Sequence, residues 1–243
     1  MKMIISPAKT MIDESEVDIE LSIPLFNNIK EKIKQKLLTM SFQEIKSIWN
    51  CNDKIAQLNY ERLYNKQLPT PAIYSYYGIQ YKNISPISLD NDSLNYLNNH
   101  LLIISGYYGL LRAFDGIEPY RLEFQAKLSI DNFNNLYDFW GDKLAESIDQ
   151  ENEIIINLAS DEYAKAIIPH LKKAKIINIS FNEYRNNKYL VKATALKAAR
   201  GAFVRYCAIN KINDYQKLKY FNMLNYQFND QLSDEHNYIF TLK

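Results

Sequence analysis

The sequence predicts a mixed α/β protein, and three observations carry that reading. Short unbroken apolar runs, Met3-Ile4-Ile5, Leu101-Leu102-Ile103-Ile104 and Ile154-Ile155-Ile156, end at turn-forming or polar residues, the pattern of interior strands. Apolar residues at helical spacing fill residues 25–38, where Leu25, Phe26, Ile29, Ile33 and Leu37 share a face and Lys30, Lys34 and Lys36 face outward. Finally, the two kinds of segment are interleaved along all 243 residues without a composition break. One unit spanning 1–243 is expected, with a helical insertion at about 25–68 and no regular βαβ rhythm.

Each element has a local reason. Pro7 stops the first strand. Ser41 precedes Glu44 by three residues, a capping box that opens a second helix whose buried side is Ile45, Ile48 and Trp49. A third helix runs from about Asp53 through Ile55, Leu58 and Leu63 until Pro69 and Pro71 end it. After the strand at 153–158, Ser160 sits at the N-cap position of a helix expected to reach about Ile168, before Pro169. Residues 175–181 and 188–191 read as strands with a turn at 183–187; a helix from about Thr194 to Ile209 and a last strand at 238–240 follow.

Composition excludes several classes. Six glycines are too few for a glycine-rich linker together with a dinucleotide fingerprint. Cys51 and Cys207 are far apart and form no CxxC, so a disulfide framework or thiolate zinc site is not expected. His100, His170 and His236 are scattered, so no metal site and no cofactor is read, and an iron-sequestering role is the weakest of the functional classes. Neither cysteine lies in a cationic motif, which argues against a thiol peroxidase. No apolar stretch approaches a membrane span, and the first residues are too short an apolar run for a signal peptide. A cytoplasmic protein without a membrane partner is expected.

A net charge of +1 gives no global case for nucleic acid, but its distribution is uneven. Asp13, Glu14, Glu16, Asp18 and Glu20 make an acidic early segment, whereas Arg185, Lys188, Lys192, Lys197, Arg200, Arg205, Lys211, Lys217 and Lys219 are opposed by Asp214 alone. Such asymmetry can give a neutral protein one positive face.

Four segments combine polar residues with turns in a way that core packing does not require. The first, Ile5-Ser6-Pro7-Ala8-Lys9-Thr10, puts Lys9 just past a strand without the glycines of a phosphate loop. The second runs from Ser105-Gly106 to Gly109-Leu110-Leu111-Arg112, then to Asp115 and Pro119-Tyr120-Arg121-Leu122-Glu123. Arg121 and Glu123 are two apart, so an extended chain points both to one face, as a clamp or a substrate anchor. In the third, Asn157-Leu158-Ala159-Ser160-Asp161-Glu162-Tyr163 with Lys165, Glu162 is a candidate acid/base carboxylate and Ser160 an N-cap. The fourth, Lys197-Ala198-Ala199-Arg200-Gly201, places two cations one turn apart at the border of an apolar stripe, where they grip an anion or snorkel over the core edge.

Together these segments, with Leu136-Tyr-x-Phe-Trp-Gly-Asp142, resemble the YaaA (DUF328/UPF0246) family in order and spacing nearly from end to end. The chain departs from the family pattern at Ala113, Phe124 and Ala198, around Tyr74 to Lys82, and in Phe221-Asn222-Met223-Leu224-Asn225-Tyr226. The resemblance implies a family-specific α/β fold with a positively charged cleft and a helix-hairpin-helix-like element, a role in peroxide stress, and DNA as a partner. The hairpin maps to about Phe42 to Tyr64, with Lys46, Lys54 and Arg62 as phosphate contacts and Gln57 where a signature glycine is usual. Two functions follow. One is binding of duplex or branched DNA with weak sequence preference. The other is an enzyme on a nucleobase, nucleoside or nucleotide, with Glu123 and Glu162 as catalytic carboxylates among Lys9, Arg112, Tyr120, Arg121, Ser160, Lys165, Lys197 and Arg200.

Overall fold

The computed structural model describes residues 1–12, 17–185, 188–190 and 192–242. The acidic residues Asp13, Glu14 and Glu16, part of the turn expected at 183–187, and Val191 lie outside the described residues.

The apolar runs form the middle of an eight-stranded sheet. Its strands are β1 (Lys2–Ile5), β2 (Leu101–Ser105), β3 (Gly109–Arg112), β4 (Ile154–Asn157), β5 (Lys175–Arg185), β6 (Lys188–Leu190), β7 (Tyr226–Phe228) and β8 (Asn237–Leu242). They are ordered β7-β8-β5-β4-β1-β2-β3, and β6 also pairs with β5. The five central strands β8, β5, β4, β1 and β2 are mutually parallel, and β3, β6 and β7 add antiparallel pairings. Strands covered on both faces need continuous apolar sequence, so Met3, Ile4, Ile5, Ile103 and Ile104 have no exposed surface. The expected strand at 175–181 continues to Arg185 because β8 pairs with it in register as far as Glu183.

The helices are α1 (Asn27–Leu38), α2 (Phe42–Trp49), α3 (Asp53–Tyr64), α4 (Ile79–Ile84), α5 (Asn91–His100) and α6 (Ala193–Ile209), besides several single turns. α5 and α6 touch each other and pack on strands of the sheet. The capping box at Ser41 forms as expected, with Glu44 reaching back to the Ser41 backbone N–H at 2.8 Å. α2 and α3 close on a separate small cluster of Ile45, Trp49 and Ala56. Asn50, at φ 43°, begins their three-residue connection, so the turn lies seven positions before Gln57, which sits on α3 and donates to Glu61. Asn is among the side chains that tolerate this left-handed conformation, which is why no glycine is needed there.

Two expectations are corrected. Lys30 is buried, not outward: its Nζ lies 5.5 Å from the centre of the Tyr108 ring and pairs with Glu31 at 2.7 Å. A long aliphatic stem and two aromatic faces make that position habitable for a lysine. The helix after Ser160 is a single turn, Asp161–Ala164, followed by a 3-10 turn at Ile168–His170. Pro169 disfavours helical backbone at the residue before it, which shortens the run.

Candidate functional site

After β1 the chain visits β2 and β3 on one side, then crosses to β4 on the other side of β1. Parallel sheets open a crevice beyond the carboxyl ends of their strands where connections diverge in this way. Ser6 and Ser160 occupy that place. The Ser160 backbone N–H donates to Ser6 Oγ at 2.9 Å, and the two hydroxyls lie 3.1 Å apart. Ser160 therefore holds the N-cap position without capping through its side chain, because its hydroxyl is turned to Ser6. From α4, Tyr81 Oη donates to the Ser6 carbonyl at 3.0 Å.

Arg121 and Glu123 arrive on an extended segment beside this crevice. Gly106 admits it: a Cβ there would meet the Leu122 carbonyl oxygen at 3.1 Å and the Phe124 nitrogen at 3.3 Å. Leu122 and Phe124 are buried, so alternation turns Arg121 and Glu123 the other way. One Glu123 oxygen takes Arg121 Nη2 at 3.0 Å and the other takes Lys9 Nζ at 2.6 Å. Arg121 Nε reaches the Trp49 carbonyl at 3.4 Å, tying this segment to the end of α2.

Glu162 lies nearby in a different setting. Its carboxylate accepts the Gln125 backbone N–H at 3.3 Å and makes no ion pair with a described residue. Burial pushes its carboxyl above the ordinary glutamate value and the Glu123 charge adds to this, while the Gln125 N–H and Lys9 oppose it. Tyr137 Oη donates to the Glu162 carbonyl at 3.0 Å, and Lys165 Nζ stands 5.4 Å from the Tyr137 ring centre. Tyr120 is a strut beneath the site. Its hydroxyl shares hydrogen bonds with Tyr76 at 2.7 Å and Ser105 at 2.6 Å, and burial raises the phenol to about 12, which keeps it neutral.

Arg112 lies apart from this group. It pairs in register with Leu102, at the amino end of β2, whereas Ser105 and Tyr120 belong to the carboxyl end. Its guanidinium is spent on Asp115, at 2.9 and 3.1 Å, and on the Ile23 carbonyl. An antiparallel return strand carries its last residue to the opposite edge of the sheet, so Arg112 stands apart from the other candidates, clamped to Asp115.

Among the described side chains, several cations of residues 192–219 are engaged in separate contacts. Arg205 donates to the carbonyls of Ile84 and Ser85, Lys211 pairs with Asp92, Lys192 with Glu183, and Lys219 stands over Tyr238. Lys197 is exposed and has no hydrogen bond or ion pair with a described residue. Arg200, one turn further along α6, is half-buried, and its neighbour Gly201 is pressed against α4. In the helical hairpin, Lys46 pairs with Asp53, Lys54 is exposed, and Arg62 lines a crevice with Lys34, Trp49, Pro119, Tyr120 and Arg121.

Sequence reasoning passed over Tyr76 and Tyr81, whose hydroxyls bond Tyr120 and the Ser6 carbonyl, and over the buried Gln80. The signal available was four tyrosines, Tyr74, Tyr76, Tyr77 and Tyr81, within eight residues of a stretch that departs from the family pattern, too many rings for a solvent-facing loop.

A parallel-centred α/β protein with paired carboxylates and cations at the carboxyl ends of its strands is thus defined by fold and site. Residues 1–232 match the family model described as peroxide stress protein YaaA. The chain is 43% identical over 244 residues to a UPF0246 protein of Ligilactobacillus salivarius, covering 99% of both chains. It is 43% identical to one of Pediococcus pentosaceus, covering 99% and 97%, and 42% identical over 247 residues to one of Agathobacter rectalis, covering 100% and 99%. The chain belongs to the YaaA peroxide stress family. Among the described residues, no helix is long and apolar enough to cross a membrane.

Proposed function

We propose that this protein serves the peroxide response by binding DNA, through the crevice where the α2–α3 hairpin meets the segment before Glu123. One observation carries the reading: Lys34, Arg62 and Arg121, from α1, α3 and the strand-end segment, line a single crevice. Cations converging from three elements suit a phosphate backbone, which is contacted for position and not for sequence. The short connection at Asn50 gives α2 and α3 the outline of a phosphate-contacting hairpin, with Lys54 exposed on α3 and Lys46 beside it. Fluorescence anisotropy with duplex and branched DNA between 50 and 200 mM salt tests the idea. Affinity should fall steeply with salt, and the slope should drop by about one for each cation removed, as in Arg62→Ala or Lys54→Ala. Absence of binding at the lower salt rejects it.

A second reading has its own support. Glu123 is held by two cations and Glu162 by none, the division of labour expected of an orienting carboxylate and a proton-transfer carboxylate. An enzyme on a nucleobase, nucleoside or nucleotide would use them so. Glu162→Gln should then preserve binding of such a ligand while abolishing its turnover.

A further inference from the structure

Arg200 is the one motif cation whose environment is unexplained by anything above. Its Nε is shut off from solvent and has no hydrogen-bond partner among the described residues, and the guanidinium makes no ion pair there. A snorkelling arginine buries its stem and wets its head. Here the Nε side of the head is also enclosed, while the terminal nitrogens are not, and burial lowers the guanidinium from its ordinary value, with the nearby Asp161 charge opposing that shift. Across the helix contact, Gln80 shows the same deficiency. It is 7% exposed, and its Nε2 has no partner. The two sites adjoin, because a Cβ at Gly201, next to Arg200, would lie 2.1 Å from the Gln80 carbonyl oxygen. Buried donors left unmade are costly, and two on adjoining residues can be met by one acceptor.

What surrounds them locates that acceptor. Asp161, which acts on Arg200, follows Ser160, and Ser160 is bonded to Ser6 at the carboxyl ends of β4 and β1. Tyr81, next to Gln80, donates to the backbone carbonyl of the same Ser6. Lys197 is exposed one turn before Arg200 on α6. Donors therefore approach from α4, α6 and the strand ends. The carboxylates of Glu123 and Glu162 are engaged with Lys9, Arg121 and the Gln125 N–H, which leaves Asp161 as the uncommitted negative charge beside Arg200.

We propose that Arg200 and Gln80 form the donor half of a site for the phosphate group of a phosphomonoester. A planar carboxylate is satisfied by one guanidinium fork, whereas donors arriving from several directions suit a tetrahedral group with three terminal oxygens. The site stands independently of DNA binding, whose proposed cations are Lys34, Arg62 and Arg121.

Titration calorimetry and thermal melts of the full chain test it, with inorganic phosphate, a nucleoside 5′-monophosphate, the matching nucleoside and acetate as probes. Phosphate and the monophosphate should bind saturably and raise the melting temperature, while acetate and the nucleoside should not. A tighter monophosphate than phosphate identifies a nucleotide as the source, and equal affinities identify free phosphate. Arg200→Met should melt at or above the wild-type temperature without ligand, since a half-buried charge with an unpartnered Nε is removed, and should bind phosphate about tenfold or more weakly. Gln80→Met should weaken phosphate several-fold, about the worth of one hydrogen bond. Asp161→Asn, at an exposed position, should tighten phosphate about two- to fivefold by removing a like charge. No response of the wild type to millimolar phosphate or monophosphate overturns the proposal, as does an Arg200→Met response equal to wild type. Should Arg200→Met fail to fold, the Asp161→Asn titration decides, and unchanged or weaker phosphate binding there overturns it. DNA binding measured on the same variants is a separate readout, so loss of one reading is not loss of the other.

Discussion

Two arginine–carboxylate clusters sit at opposite edges of the same sheet, and they are built in opposite ways. At the amino edge, Asp115 is fully buried and accepts from Ser22 Oγ, from the Arg112 backbone N–H and from the Arg112 guanidinium. Every oxygen is used. At the carboxyl edge, Glu123 keeps about a quarter of its side chain exposed between Arg121 and an exposed Lys9, and among the described residues Glu162 has no ion pair and Arg200 Nε no hydrogen-bond partner. A buried carboxylate with both oxygens engaged holds the fold together. An unsaturated, half-open one has capacity left for a ligand.

The contrast can be broken most sharply at Asp115. Asp115→Ala strands the Arg112 guanidinium and the Ser22 hydroxyl, and urea unfolding should show a loss of about 3–5 kcal/mol. DNA affinity of the folded fraction should be unchanged. A variant that keeps its stability would remove the distinction between the two edges.

Next in size is Gly201→Ala. The added methyl group would meet the Gln80 carbonyl oxygen at 2.1 Å and force α6 away from α4. Overpacking of this kind costs about 1–3 kcal/mol, readable in the same unfolding experiment.

Glu123→Gln should behave differently from Asp115→Ala although both remove a carboxylate from an arginine. Its pairs are partly exposed, so stability should change by no more than about 1 kcal/mol. At low salt the freed Lys9 and Arg121 should tighten DNA binding in the anisotropy assay, and weaker binding would make Glu123 a contact in its own right.

The smallest effect is a pH dependence at Glu162. Its folded-state value is raised, so between the ordinary glutamate value and the raised one the folded protein binds the additional proton. Its contribution to stability is thus full below the ordinary value and is lost as pH rises through the raised one. Melting curves between pH 7 and 4 should show this trend in the wild type and not in Glu162→Gln; identical slopes would place Glu162 in water.

The division between what was legible and what was not follows from the range of the forces involved. Interior strands were readable from runs such as Met3-Ile4-Ile5, because burial on both faces demands continuous apolar residues. The second helix was readable to the residue, because the Ser41–Glu44 box closes over three positions. So was the Arg121–Glu123 pairing, since an extended chain puts residues two apart on one face. The parallel order of the central strands was not, because each parallel partner lies across a long crossover and no local pattern encodes it. The same holds for the ions. Nothing local separates Arg112 from Arg121, nor a capping Ser160 from one that faces Ser6. Sequence by itself determined the interior strands, the helices of the 25–68 insertion with the Ser41 cap, and the cast of polar residues. Tertiary structure alone decided which charges are spent, because burial and partnership are set by residues as distant as Gln80 and Gly201, brought together only when the helices pack.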